Sequence, residues 1–224
     1  MLFRFIARET PKLLRRFAQN YPADLPQVER RHGTWHHADI EWMAHKVRDI
    51  QGDFAEIGVF RGAAFRKLAA SAAQQGKLAH AFDSFVGMDE PTAADGTHYP
   101  KGKFDIGGPE QFIRLMTEAA VKRESYQVWA GYVPACFAQV PDALRFSLAI
   151  LDLDHYRPTL ESLAWLMPRI NDGGVLALDD FVPGHNQLAT RAIREFLARD
   201  KHYKKIAFFN QQLILRKQSS DTKS

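Results

Sequence analysis

The stretch FSLAILDLDHYRPTLESLAWLMPRINDGGVLALDDF, residues 146 to 181, decides the fold. Its opening apolar run, Ser147 to Leu151, ends in two carboxylates spaced by one residue, Asp152 and Asp154. Its closing run, Gly174 to Leu178, ends the same way in Asp179 and Asp180. The intervening PTLESLAWLMPRI has helical spacing. Strand, helix, strand is the repeating unit of a parallel sheet. Carboxylates are costly to bury without a partner, so two strands delivering them at the same end predict a shared site holding something positive.

Upstream, FAEIGV (54 to 59) is a short apolar strand, followed by Arg61-Gly62 and the helix-like AAFRKLAASAAQQ, with Gly76 as its stop. KLAHAFDSF (77 to 85) reads as a second strand ending at Asp83, and YQVWAGY (126 to 132) as a third. Residues 86 to 109 are dense in Gly, Pro and charge, which predicts a long loop of the kind that serves as a lid. A helix over TWHHADIEWMAHKVRDI (34 to 50) precedes the first strand. Downstream, NQLATRAIREFLAR reads as a helix, and YKKIAFF with QQLILRK as a hairpin around Asn210-Gln211. The alternation predicts an open α/β sheet with helices on both faces, whose ligands bind beyond the carboxyl ends of the strands. Glu56, Gly58, Asp83, Gly131, Asp152, Asp154, Asp179 and Asp180 all fall at those ends.

With 224 residues, 46% hydrophobic and 25% charged, the chain reads as one soluble domain, 34 to 217, behind a basic arm, 1 to 33, and ahead of a disordered polar tail, 218 to 224. The net charge of +4 is modest and spread out, so nucleic acid is not an expected partner. Cys136 is the lone cysteine, which rules out an intrachain disulfide and makes a cytoplasmic setting the default. No apolar stretch approaches the roughly 18 to 20 residues that cross a bilayer. The arm alternates large apolar residues with Arg4, Arg8, Lys12, Arg15 and Arg16, which suits an anionic membrane surface or a basic helix packing on its own domain or on a partner chain.

EIGVFRG, 56 to 62, is E-x-G-x-x-x-G. A pyrophosphate favours a helix N-terminus with a full G-x-G-x-x-G turn, and position 60 here is Phe60. Glu56 instead suits a cationic ligand, and S-adenosylmethionine carries both a sulfonium and an ammonium. Asp83 follows Gly58 by 25 positions, where an acid accepts from ribose hydroxyls or caps a turn. Asp152, Asp179 and Asp180 offer the hard oxygens that Mg²⁺ or another divalent cation takes. Such a cation acidifies an alcohol and fixes its oxygen, and Asp154 or His155 would take the proton. The competing reading is a salt bridge between strand ends, using Arg157, Arg169 or another base.

His32, His36 and His37 read as a solvated surface cluster and Cys136 as buried packing. The chain carries no G-x-S-x-G elbow and no P-loop, which disfavours those hydrolases and ATPases.

Three pieces in order, FAEIGVFRGAAF, AFDSFVGMDEPTAADG and the D-x-D-x-Y-x-x-T followed by G-G-x-x-x-x-D-D-F of the opening stretch, resemble the macrocin O-methyltransferase family over roughly residues 35 to 215. The resemblance implies a class I methyltransferase, Rossmann-like fold with a seven-stranded, mostly parallel sheet whose last strand is antiparallel. It implies an S-adenosylmethionine-dependent O-methyltransferase that acts, with a divalent cation, on a hydroxyl of a sugar or other natural product. Glu56, Gly58, Val59, Gly62, Asp83, Ser84, Phe85, Gly131 and Asp152 would then hold the cofactor, with Ser84 and Phe85 beside its nucleoside. Asp152, Asp179 and Asp180 would bind the metal, and Asp152, Asp154 and His155 would serve the reaction. His155 falls at the open position of that D-x-D-x-Y stretch, where the resemblance leads one to expect a different residue. Family members often assemble through N-terminal segments, so the basic arm is the expected route to a homo-oligomer. The alternatives are a silent cofactor-binding scaffold, which the intact acids disfavour, and a nicotinamide-dependent oxidoreductase, which Phe60 disfavours.

Overall fold

The computed structural model describes residues 35–96, 98–185, 188–209 and 211–219. The arm, His32, the side chains of His36 and His37, Asn210 and the end of the tail from residue 220 lie outside the described residues. Helix α1 (Trp35–Lys46) leads into β1 (Asp53–Ile57), α2 (Phe65–Gln74) and β2 (Ala79–Asp83). Then come α3 (Pro109–Glu118), β3 (Tyr126–Ala130), β4 (Phe146–Leu151), α4 (Tyr156–Leu166) and β5 (Ile170–Leu178). The chain closes with α5 (Leu188–Arg199), β6 (Tyr203–Phe209) and β7 (Gln212–Lys217).

The seven strands form one sheet in the order β3-β2-β1-β4-β5-β7-β6. β1 pairs in parallel with both β2 and β4, β4 pairs in parallel with β5, and β7 runs antiparallel between β5 and β6. The expected topology is therefore present. β4 is buried along its whole length, as a strand covered on both faces must be. Alternate residues serve the two sides: Leu148 and Ile150 join a core with Met43, Phe65 and Phe112, while Ala149 and Leu151 join one with Leu163, Leu166 and Ile193. So α1, α2 and α3 cover one face, and α4 with α5 covers the other.

Two local differences from the sequence reading have simple causes. α3 was not anticipated, because its start follows the Gly107-Gly108 pair of the long loop without a break in polarity. Pro109 opens it at a first-turn position, and Phe112 with Met116, four apart, anchors it to the core. β5 begins at Ile170, earlier than its apolar run, since Asn171 and Asp172 are carried into the strand by the buried Ile170.

β1 is central, and the chain leaves it toward β2 on one side and β4 on the other. That is the topological switch point. The ladder continues one residue past the strand ends: Gly131 N–H donates to Asp83, Gly58 to Phe82, Asp152 to Ile57 and Asp179 to Leu151, all at 2.8–2.9 Å. These bonds line the strand exits up in one row.

Candidate active site

Gly58 sits at φ +87°, and a Cβ there would lie 1.7 Å from the Asp152 carbonyl oxygen. Glycine is required where β1 and β4 leave the sheet side by side. Its neighbour Phe60 holds φ 47°, a left-handed conformation without the help of a glycine. Asp83 keeps it there: Oδ2 accepts from the amides of Val59 and Phe60, both at 2.9 Å, and Oδ1 accepts from Phe85 N–H at 2.8 Å. Asp83 thus caps the loop in the way the sequence left open, and it also lines the cavity described next.

A cavity of about 460 Å³ opens beyond the strand exits, within the range of small-molecule sites. Gly58, Asp83, Ser84, Gly131, Asp152, Asp154 and His155 all line it. Ser84 is held by its hydroxyl donating to the Gly87 carbonyl at 2.6 Å. Four expected cofactor residues do not line it: Glu56, buried at the end of β1, and Val59, Gly62 and Phe85. Val59 and Phe85 are buried in the core on the α1–α3 side, and Gly62 packs so closely on α3 that a Cβ would meet Met116 at 2.3 Å. Sequence spacing placed these last three near the site, but their side chains or backbone serve packing.

The acids converge. One carboxylate oxygen from each of Asp152, Asp154 and Asp180 lies within 4.8 Å of the others. Asp179 is not in this trio. It stands at the next strand exit, where its charge acts on both Asp152 and Glu56. Asp154 and Asp180 both adopt left-handed backbone, at φ 58° and 56°. The start of α5 secures both: Ala189 N–H donates to the Asp154 carbonyl at 3.1 Å and Thr190 Oγ1 to the Asp180 carbonyl at 2.7 Å.

The electrostatics are unfavourable to acids standing alone. Burial pushes Asp180 up to about 8, with the charges of Asp154 and Asp179 adding to it. Burial also raises Asp152 far above the carboxylate range, followed by Asp179, Asp180, Asp154 and Glu56. Glu56, 4% exposed, is raised by burial and then by Asp83 and Asp179. Glu56 Oε2 and Asp180 Oδ2 are buried without a hydrogen-bond partner. Orphaned carboxylate oxygens in an all-oxygen cluster fit a hard divalent cation and a cationic cofactor. The two arginines named for a salt bridge are engaged elsewhere. Arg157 pairs with Glu161 at 3.0 Å and Arg169 with Asp142 at 3.4 Å.

His155 is 4% exposed and its Nε2 has no partner. Cys136 is 1% exposed and burial pushes its thiol up to about 11, so it packs and does not react.

Residues 84 to 108 build the segment that the sequence reads, over 86 to 109, as a long lid-like loop. Its stem is tied by Met88 N–H to Lys103 O at 2.8 Å and Gly102 N–H to Met88 O at 2.9 Å. From its tip, Asp95 Oδ1 accepts from the amides of Tyr156 and Arg157, at 2.8 and 3.3 Å, capping α4. Asp95 Oδ2 accepts from Thr92 N–H and its hydroxyl. Burial would raise this carboxyl, but the bonds from Thr92 and Arg157 outweigh it and hold it below the usual range. The Thr92-x-x-Asp95 spacing is a capping pattern, yet nothing in it names the helix that is capped. Phe60 and Phe104 meet edge to face at the cavity mouth, ring centroids 5.4 Å apart.

The macrocin O-methyltransferase (TylF) family model matches residues 37–211. No curated protein sequence matches the chain. Among solved structures, the calicheamicin methyltransferase CalS11 is similar with TM-score 0.69 and 24% identity, covering 92% of this chain and 88% of that one. The O-methyltransferase NovP follows with TM-score 0.65, 20% identity and coverage of 81% and 78%. TomG from Streptomyces achromogenes, solved with SAM, gives TM-score 0.57, 14% identity and coverage of 81% and 80%. These likenesses carry the fold, and the family model, spanning most of the chain, carries more: the chain belongs to the macrocin O-methyltransferase family of S-adenosylmethionine-dependent O-methyltransferases.

Proposed function

We propose that the chain is a divalent-metal-assisted O-methyltransferase whose acceptor is a hydroxyl of a sugar or similar polyol natural product. The carrying observation is the orphaned Asp180 Oδ2 within a trio of acids whose other two members, Asp152 and Asp154, line the cavity. Asp152 and Asp180, with Asp179 at the adjoining exit, are the proposed ligands. A divalent cation bound there supplies a lower pKa for the acceptor hydroxyl and a fixed position for its oxygen. CalS11 is described as a TDP-rhamnose 3'-O-methyltransferase, which supports a sugar hydroxyl as the acceptor class.

Glu56, Gly58, Asp83, Ser84 and Gly131 are assigned to the cofactor, Glu56 facing its positive charge. Asp154 is the proposed base. A base must stand beside the oxygen being acidified, and Asp154 both belongs to the trio and lines the cavity, whereas His155 lies outside the trio. S-adenosylmethionine held by these residues would supply the methyl group to the acceptor oxygen, and Asp154 would receive the hydroxyl proton. The arm, 1 to 33, is assigned to self-association, and the lone buried cysteine suits a cytosolic setting.

Titration calorimetry with S-adenosylhomocysteine, with and without Mg²⁺, tests this reading. Binding of both is expected, and Asp179→Asn should weaken Mg²⁺ while cofactor affinity stays within a few-fold. Absence of S-adenosylhomocysteine binding would sink it.

A further inference from the structure

Helix α4 begins without a cap of its own. His155 stands at the N-cap with extended backbone, φ −83° and ψ 151°, but its side chain makes no bond to the first-turn amides. The missing acceptor comes from 61 residues upstream, where Asp95 Oδ1 takes the amides of Tyr156 and Arg157 at 2.8 and 3.3 Å. Its other oxygen takes Thr92 N–H at 2.9 Å and the Thr92 hydroxyl. With four donors and 2% exposure, this carboxylate has nothing left to offer a ligand, so its work is to hold something in place.

What it holds is the turn that carries the acids. Only Asp152, Leu153, Asp154 and His155 separate the end of β4 from the start of α4. This turn is pinned at three points, each to a different part of the chain. Asp152 N–H donates to the Ile57 carbonyl of β1 at 2.9 Å, and Ala189 N–H of α5 donates to the Asp154 carbonyl at 3.1 Å. The third pin is Asp95, on the two amides that follow His155. Between the first pin and the last, Asp154 keeps a left-handed φ of 58°. A residue other than glycine is strained there and stays only where its surroundings over-determine it. The same pin joins the two walls of the cavity, Met88, Thr92 and Phe104 on the loop and Leu153, Arg157 and Pro158 on the turn and α4.

We propose that Asp95 is a positioning residue: by capping α4 from the 84–108 loop, it fixes the backbone of the 152–155 turn and so the place of Asp154 in the acid trio. Its catalytic meaning rests on the reading of Asp154 as the base, but the coupling itself is a property of the ligand-free chain. Loss of the cap frees the start of α4, the left-handed turn relaxes, and the Asp154 carbonyl withdraws from Ala189.

Ala189 makes the coupling measurable. Its amide is bonded to Asp154 and not to Asp95, so a cap that served α4 alone would leave its exchange unchanged. The experiment is amide hydrogen exchange read by NMR on the full chain, comparing the parent with Asp95→Ala, Asp95→Asn and Thr92→Ala. In Asp95→Ala, exchange should quicken roughly ten-fold at Tyr156 and Arg157 and roughly three-fold or more at Ala189 and Asp152. The reference amides are Gly58 and Gly131, whose bonds to Phe82 and Asp83 do not pass through the turn. Asp95→Asn keeps an oxygen for the two capped amides and should return Ala189 to within about two-fold of the parent. Thr92→Ala removes one bond that holds the cap, so it should show the pattern of Asp95→Ala at smaller amplitude, and it decides the matter if Asp95→Ala fails to fold. Ala189 and Asp152 exchanging at the parental rate while Tyr156 and Arg157 quicken would overturn the proposal, because Asp95 would then cap α4 and nothing more. Equal acceleration at all these amides, the references included, would overturn it as a plain loss of stability. The assay contains neither cofactor nor metal, so failure of the methyltransferase reading in calorimetry leaves its outcome separate.

Discussion

β1 carries two acids three residues apart, and they live in opposite circumstances. Asp53, at the amino end, accepts from His80 Nε2 at 3.0 Å and from the Leu78 amide at 3.1 Å. His80 Nδ1 in turn accepts from Trp129 Nε1 at 3.0 Å, which fixes the ring as the Nε2–H tautomer. Burial alone would raise Asp53, but the His80 and Leu78 bonds prevail and hold it below its ordinary range. Glu56, at the carboxyl end, is raised and keeps an orphaned oxygen among other acids. One end of the sheet is satisfied and structural. The other is left in deficit, which a folded chain tolerates where a ligand supplies the missing charge.

The contrast predicts opposite signs for similar substitutions. Asp53→Ala strands the buried His80 Nε2 and should destabilise the protein by about 2–3 kcal/mol. Thermal or urea denaturation reads this loss, and S-adenosylhomocysteine affinity should stay within two-fold; a large loss of affinity would mean the two ends are coupled. Asp83 is the intermediate case, since it lines the cavity yet is satisfied. Asp83→Ala releases the Phe60 turn, and calorimetry should show affinity falling roughly ten-fold or more, about 1.4 kcal/mol per decade. Glu56→Gln removes a raised, unpaired carboxylate, so the ligand-free protein should gain about 1 kcal/mol of stability while cofactor affinity drops several-fold. A loss of stability in that variant would show that Glu56 is structural after all.

The smallest expected effect is in pH dependence. Because Glu56 is raised in the folded chain, the folded state holds its proton above 4.5, where the unfolded state has released it. Its contribution to stability is therefore present below 4.5 and declines as pH rises. Asp53 runs the other way: its lowered value contributes stability above about 3.8, lost as pH falls through the folded value. Melting temperatures across pH should flatten on the neutral side in Glu56→Gln and on the acid side in Asp53→Asn.

Much of this was legible beforehand. The apolar runs ending at Ile57, Asp83, Leu151 and Leu178 are local signals, and each became a strand within one or two residues of its reading at the carboxyl end. That the acids gather is also legible, because a parallel sheet puts all strand exits on one edge. Less legible was which acids face one another. Asp154 joins the trio because its left-handed backbone turns the chain at the start of α4, and no pattern in LDLDHYRPT announces that. Phe60 was read as a missing glycine; it takes the glycine's conformation because Asp83, 23 residues away, pays in hydrogen bonds for the strain.

By itself the sequence determined the strand and helix alternation, the edge at which ligands bind, and the excess of carboxylates there. Periodicity and the cost of burying charge act over a few residues, so they are written in any short window. The tertiary structure alone decided that Phe85 and Gly62 pack inward, that Asp179 stands beside the trio, and that the loop is tied down through Asp95. Those outcomes depend on contacts such as that of Asp95 with Tyr156, 61 residues apart, whose geometry exists only once the sheet has assembled.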